Sequence, residues 1–147
     1  MRHLQFIHFH FDDVDLPLKD RNKLKIFLVQ LIVKEKRKLS ALNYIFCNDK
    51  TLLEINRKYL KHDSYTDVIT FNLSSSSKEI VADIYISADR IRENAKSFKL
   101  SIKEELHRVM FHGLLHLCGY DDKTNDQRKL IRNKENFYLG LYFKGFT

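Results

Sequence analysis

The segment of residues 112–122 constrains this 147-residue chain more than any other, because it combines a helix end with a cluster of candidate metal ligands. His112 and His116 stand four residues apart, so on an α-helix both imidazoles lie on one face and can reach the same ion. Gly119 suits the left-handed turn that ends many helices, and this reversal allows Asp122 to approach as a third ligand. Such a set leaves a position on the ion open, which is typical of catalytic sites.

A pair of histidines on a helix is weak evidence alone, because both can simply pack in a core. The surrounding helix is apolar almost all round, which predicts burial; its apolar residues are Leu106, Val109, Met110, Phe111, Leu114, Leu115 and Leu117. Buried histidines without partners would cost free energy, and burial lowers the imidazole pKa, which favours the neutral, metal-binding form. The glycine and the aspartate at reversal spacing favour a metal centre over core packing.

The composition predicts one globular domain over residues 1–147, with 44% hydrophobic and 31% charged residues. Cys47 and Cys118 show no repeating spacing, so we expect free thiols and a cytoplasmic protein. Cys118 points about 200° away from His116 on a helix, which predicts packing and not ligation. No signal peptide is recognisable, and the longest apolar run, residues 26–33, is too short to span a bilayer.

The net charge of +7 favours an anionic partner, with nucleic acid expected before a membrane surface. The lysines are spread along the chain, so an ordinary basic surface remains an alternative.

The first half of the chain alternates predicted strands and helices. Residues 3–11 alternate polar and apolar side chains, which predicts a half-buried strand with His8 and His10 facing solvent. Apolar residues at helical spacing predict an amphipathic helix over residues 20–37. A strand follows over residues 41–47, and then a helix that Asn48 or Asp49 caps and that continues to Tyr59.

The second half begins with two strands, over residues 67–73 and 81–87, joined by a serine-rich loop. Ser87 is expected to cap a helix that ends at Phe98, and Ser101 with Glu104 to open the histidine helix. Thr124 with Gln127 opens a last helix that ends near residue 139, with predicted core residues Leu130, Ile131, Phe137 and Tyr138. The order β-α-β-α-β-β-α-α-α predicts an α+β domain with a small mixed sheet covered by helices and the histidine helix at its centre.

The zinc-protease motif H-E-x-x-H supplies a glutamate base beside the first histidine. Gly113 occupies that position here, which weakens a peptidase interpretation.

Three sequence blocks are similar to one known family. Residues 112–121 resemble the metal-binding signature H-G-x-L-H-L-x-G-Y-D of the bacterial YbeY endoribonucleases. Residues 55–59 followed by 66–71 resemble its L-N-x-x-Y and T-D-V-L-S-F blocks, and residues 82–87 its G-D-I-x-I-S strand. The resemblance implies an α+β fold and a metal-dependent RNase that is specific for single strands, acting in 16S rRNA 3′-end maturation and ribosome quality control.

Two positions depart from the family pattern. Asp122 stands where the family usually has a third histidine, and a carboxylate also binds zinc well. Leu60 stands where the family tends to carry an RNA-facing arginine, and Arg57, one helical turn earlier, is a candidate substitute. An exposed helix arginine can equally be an ordinary solvated residue.

The leading hypothesis is therefore a zinc-dependent endoribonuclease, with other divalent transition metals as alternatives. His112, His116 and Asp122 are its predicted metal ligands and catalytic residues, together with Arg57. Its expected partners are single-stranded regions of rRNA and the ribosome or small-subunit components, with no membrane. Tyr59, Tyr65 or Tyr120 could stack an unpaired base, although packing is the expected role of each. The alternatives are a hydrolase of the zinc-protease-like group and a non-catalytic rRNA-binding assembly factor.

Overall fold

The structure, a computed structural model, describes residues 2–62 and 64–145 and is built around a four-stranded mixed sheet. The strands β1 (Ile7–Phe11), β2 (Lys38–Cys47), β3 (Val68–Asn72) and β4 (Glu79–Ser87) lie in the order β1-β2-β4-β3. The pairs β1–β2 and β2–β4 are parallel, whereas β3 runs antiparallel to β4. The element order and the predicted α+β class are confirmed.

The described residues form five α-helices: α1 (Arg21–Lys34), α2 (Asp49–Ile55), α3 (Ala88–Phe98), α4 (Ile102–Leu117) and α5 (Asn125–Lys144). Four of them begin at side-chain caps, because the hydroxyl or amide oxygen of the capping residue accepts a hydrogen bond from a first-turn backbone N–H. These caps are Asn48, Ser87, Ser101 and Thr124, as predicted, and Thr124 forms a complete capping box with Gln127.

The histidine helix α4 lies at the centre of the fold, as predicted. Its apolar side chains enter the main core, although Leu117 is only partly buried. Gly113 permits the close approach of α4 to the sheet, since a Cβ at this position would lie 3.0 Å from Ile84 Cγ2 and 3.3 Å from Thr70 Cγ2. The sheet therefore fixes which face of α4 remains for the histidines.

Several predicted boundaries were wrong. The first strand begins only at Ile7, where its pairing with β2 starts, and Arg2–Phe6 forms a 3₁₀ helix instead. His8 and His10 are exposed on β1, as expected. The first long helix ends at Lys34, not at residue 37, because the chain turns through a positive φ of 61° at Lys36.

The predicted helix over residues 48–59 is interrupted. After α2, Asn56–Leu60 form a π-helix that ends at Lys61 in a left-handed conformation. A π-helix bonds each N–H five residues back, so side chains three positions apart diverge further than on an α-helix.

The last helix is longer than predicted and its buried face was placed partly wrongly. It continues to Lys144 and buries Ile131 and Tyr138, but Leu130 and Phe137 are exposed. The buried stripe of α5 runs through Ile131, Tyr138, Leu139 and Tyr142, and the two exposed residues lie one position outside it.

Within the described residues no helix has the length and apolar character needed to cross a membrane. The ends of the predicted domain, residues 1, 146 and 147, lie outside the described residues.

Candidate metal centre

The three predicted ligands converge at the carboxyl end of α4. His116 Nε2 lies 3.0 Å from His112 Nε2, and Asp122 Oδ2 lies 3.5 Å from the His112 nitrogen and 3.3 Å from the His116 nitrogen. Both histidine side chains are 23% exposed and the aspartate side chain is 44% exposed, so the cluster faces solvent on one side. Among the described residues, no second group of three or more His, Cys, Asp or Glu side chains is arranged to hold a metal.

The two histidine nitrogens and the aspartate oxygen are spaced as the ligands of a small divalent ion would be. A tetrahedral ion with bonds of about 2.0–2.2 Å separates its ligand atoms by about 3.3–3.6 Å, close to the three separations seen here. Two neutral imidazole nitrogens and one carboxylate oxygen suit zinc and related transition metals. The residues present therefore fit such an ion and leave the solvent side of its coordination shell open.

The chain reversal after α4 delivers Asp122 to the histidines. Gly119 has a φ of +103°, the left-handed conformation predicted for it, and the N–H of Tyr120 closes the turn on Leu115 O at 3.1 Å. Cys118 is buried with a free thiol, and Cys47 is also free, as expected. Both cysteines remain outside the ligand cluster.

Contacts from distant segments hold this reversal in place. Arg37 donates a hydrogen bond to Cys118 O at 2.9 Å, and the Tyr120 hydroxyl donates to Glu35 Oε1 at 2.8 Å. On the other side, Arg128 donates to the carbonyl oxygen of Asp122 at 3.2 Å. The loop that carries the third candidate ligand is thus bound by the connection between α1 and β2 and by the first turn of α5.

Glu135 of α5 orients His112 and was missed by the sequence analysis. Its Oε2 lies 2.6 Å from His112 Nδ1, and its Oε1 accepts from Arg108 Nη1 at 3.1 Å. Only 4% of the Glu135 side chain is exposed. A carboxylate that accepts from Nδ1–H fixes the tautomer in which Nε2 is free to bind metal.

This contact changes the protonation of both partners. Burial lowers the pKa of His112, but the hydrogen bond to Glu135 and the charges of Glu135, Asp67 and Asp122 outweigh burial, so its pKa is raised. Burial raises the pKa of Glu135, but the bonds from His112 and Arg108 outweigh burial and lower it. Glu135 is therefore an ionised carboxylate held against the imidazole.

A signal for Glu135 was present in the sequence. On α5 it stands four residues after Ile131 and three and four before Tyr138 and Leu139, so it occupies the middle of the buried stripe. A carboxylate in an apolar stripe needs a buried partner, and His112 and Arg108 supply it.

Two cavities meet at the metal centre, and Asp67, His112 and Asp122 line both. One lies between β3, the π-helix and the end of α4, with a volume of about 690 Å³. The other lies between α3, α4 and α5, with a volume of about 330 Å³. Burial raises the pKa of Asp67 at their junction, partly opposed by the nearby His112.

The structure brings some of the predicted RNA-contacting residues to these cavities and not others. Tyr65 lines the larger cavity, as does Leu60 at the family's arginine position, whereas Arg57 is exposed on the π-helix and is not among the described residues that line either one. Arg90 lies over the ring of Tyr65 at 5.0 Å. Tyr120 instead donates its hydroxyl hydrogen to Glu35 and so holds the loop that carries Asp122, in agreement with the packing role expected for it.

Gly113 also excludes a glutamate of the zinc-protease type. A Cβ at this position would lie 3.0 Å from Ile84 Cγ2 and 3.3 Å from Thr70 Cγ2, so a longer side chain would clash with the sheet. The fold and the site therefore define an α+β protein with an open centre of two imidazoles and a carboxylate, a donor set that metal-dependent hydrolases use without requiring the protease motif.

Comparison with known proteins agrees with this class and identifies the family. A family model described as Endoribonuclease YbeY matches residues 8–142, so the chain belongs to the YbeY endoribonuclease family. Proteins named Endoribonuclease YbeY from Cytophaga hutchinsonii and Flavobacterium psychrophilum are both 45% identical to it. These matches cover 92% of this chain, with 94% of the first relative and 96% of the second.

A solved structure shares the fold. The solution structure of a Thermotoga maritima protein superposes with a TM-score of 0.66 at 27% sequence identity. The superposition covers 94% of this chain and 89% of that chain. The family resemblance predicted from the three sequence blocks is confirmed.

Proposed function

We propose that this protein is a zinc-dependent endoribonuclease that cleaves single-stranded RNA and acts in 16S rRNA 3′-end maturation and ribosome quality control. The observation that carries the proposal is the convergence of His112 Nε2, His116 Nε2 and Asp122 Oδ2 beside two open cavities, in a chain of an endoribonuclease family. The proposed partners are unpaired regions of rRNA and components of the small ribosomal subunit, in the cytoplasm.

The residues of the candidate site have different proposed roles. His112, His116 and Asp122 would hold the ion, and Glu135 keeps Nε2 of His112 directed at it. When bound, the ion supplies Lewis-acid polarisation of a phosphodiester oxygen.

Basic side chains near the centre would hold the RNA backbone. Lys123 lines the larger cavity and Arg132 the smaller one, so phosphates on either side of the ion have a cation to approach. Both side chains are part of the net charge of +7, which favours an anionic partner. Arg57 is exposed on the π-helix, and its proposed contact with RNA is a separate, testable part of the assignment.

The test compares cleavage with binding. Wild type loaded with zinc is expected to cut a single-stranded RNA and to leave the matching duplex intact. His116→Ala is expected to lose cleavage but to keep RNA affinity, because binding depends on phosphate contacts and cleavage on the ion.

Arg57→Ala, measured in parallel, is expected to weaken RNA binding without changing zinc content. Cleavage by His116→Ala at the wild-type rate would refute the proposed metal chemistry. Zinc-loaded wild type that binds RNA without cutting it would instead support the non-catalytic assembly factor.

A further inference from the structure

The cavity between α3, α4 and α5, which we call the three-helix cavity, shares His112 and Asp122 with the candidate metal centre, but its other lining residues are not candidate metal ligands. Each helix contributes residues at helical spacing: Asn94 and Phe98 from α3, Glu105 and Val109 from α4, and Ile131 from α5. Its volume of about 330 Å³ lies at the lower end of the range of small-ligand sites. Because His112 and Asp122 form one wall, a ligand inside it would lie next to the metal centre.

A carboxyl group with an unused hydrogen-bonding atom lines this cavity. Glu105 is 3% exposed, and its Oε1 is buried without a hydrogen-bond partner. Asn94 donates a hydrogen bond to the carboxyl group, while burial, with the charge of Asp67, raises its pKa. An unsatisfied buried acceptor is rare in folded proteins and marks a place where a ligand donor can bind. Glu105 is one of the residues that line the cavity, and the terminal torsion of glutamate is broad, so its carboxyl group can turn toward a ligand there.

The remaining walls suit a flat aromatic ring. Phe98 is 61% exposed at the rim, and Val109 and Ile131 provide apolar surface deeper inside. Arg132 lines the cavity with a side chain that is 59% exposed. An aromatic face, a buried polar group for a ring edge and a cation for a phosphate are the elements that proteins use to bind an unpaired nucleotide.

We propose that the three-helix cavity binds one unpaired nucleobase of the RNA next to the cleaved phosphate, and that Glu105 selects bases that carry an exocyclic amino group. The base stacks on Phe98, and its amino N–H donates to Glu105 Oε1. Cytosine is then preferred over uracil, which presents a carbonyl oxygen in place of the amino group. This inference rests on the proposed function, because it assumes that RNA is the substrate.

The experiment uses matched RNA oligonucleotides that differ only by cytidine or uridine at one position. The variable position is moved in turn through each nucleotide flanking the cleaved bond. Binding is measured with metal-free protein, and cleavage with the zinc-loaded protein. Wild type is expected to prefer cytidine about tenfold at one of these positions, the value of roughly one hydrogen bond to a buried group.

Three variants assign that preference to the cavity. Glu105→Leu is expected to reduce the cytidine-to-uridine ratio to about one while keeping zinc affinity. Glu104→Leu, the same substitution one residue earlier, is expected to keep the wild-type ratio. Phe98→Ala is expected to weaken binding of both oligonucleotides about tenfold and to leave their ratio unchanged. Because Phe98 is largely exposed, this variant tests the cavity even if Glu105→Leu does not fold.

The possible failures are distinguishable. Equal affinity of wild type for cytidine and uridine at every position, or a preference that Glu105→Leu retains, would overturn the nucleobase assignment and leave the proposed function intact. A zinc-loaded wild type that cuts no RNA would overturn the proposed function, while the binding ratios would still decide whether the cavity selects a base.

Discussion

The two halves of the metal centre are built by different means. His112 and His116 lie on a helix whose opposite face packs on the sheet, and the first histidine is fixed by a buried carboxylate. Asp122 lies in a loop, with 44% of its side chain exposed, and depends on contacts to the backbone and to Tyr120 nearby.

The precise position of the two kinds of ligand therefore has two different sources. Helix geometry brings the two imidazoles within reach of one ion for any sequence with that spacing. The loop has no such regularity, so hydrogen bonds with the α1–β2 connection and with α5 must supply its position. Loss of a helical ligand should therefore disturb folding and metal binding together, and loss of the loop ligand should affect metal binding alone.

The largest expected effect comes from removing one ligand from each half. His112→Ala and Asp122→Ala should each weaken zinc affinity more than about 100-fold, because even outer-shell losses cost about 10–100-fold. His112→Ala should also lower the free energy of unfolding, since it leaves the buried Glu135 without its imidazole partner. Chelator competition and chemical denaturation measure the two quantities. Equal stability of both variants would contradict the proposed difference between the halves.

Glu135→Gln tests the carboxylate that contacts His112, one of the two helical ligands. We expect zinc affinity about 10–100-fold weaker than wild type, because an amide holds the Nδ1–H of His112 less strongly than a carboxylate. Asp126→Asn is the matched control, because it makes the same acid-to-amide change on an exposed residue of the same helix. An unchanged affinity in Glu135→Gln would show that the helix alone orients His112.

Tyr120→Phe tests the anchoring of the loop half. Loss of its hydrogen bond to Glu35, worth about 1 kcal/mol, should weaken zinc affinity about fivefold by loosening the loop before Asp122. In an Asp122→Ala background the same change should have no further effect on affinity. Tyr44→Phe removes a buried hydroxyl that donates to Met110 O at 2.9 Å, so it should cost stability and leave affinity unchanged.

The smallest effect concerns a third histidine of α4, which is not one of the candidate metal ligands. Burial lowers the pKa of His107, whose Nδ1 lies 2.6 Å from Lys103 O and whose Nε2 is buried without a partner. The unfolded chain therefore binds more protons than the folded protein below the ordinary histidine pKa of about 6.5. Stability should fall as the pH drops below about 6.5, until the lowered pKa of the folded state is passed.

His107→Phe should flatten this part of the stability profile, which denaturation at several pH values measures. The phenyl ring can keep the stacking on Tyr142, at 5.1 Å between ring centroids for the imidazole. A decline as steep as that of wild type would assign the pH dependence to other groups.

The sequence alone determined the features that depend on short stretches of chain. The caps at Asn48, Ser87, Ser101 and Thr124 need only a side chain and the N–H groups that follow it. The ligand set was also local, because eleven consecutive residues contain the two histidines, the glycine reversal and the aspartate. The mixed sheet followed from the order of the strands and helices.

The distant residues that support the centre are paired only in the packed fold. Glu135 lies 23 residues from His112, and Glu35 lies 85 from Tyr120, so no local pattern pairs them. Packing also decides two other features. The π-helix separates Arg57 from Leu60, and the rotation of α5 exposes Leu130 and Phe137. The physical reason is that caps and turns use neighbouring backbone groups, whereas a buried charge or the phase of a helix is fixed by the elements packed around it.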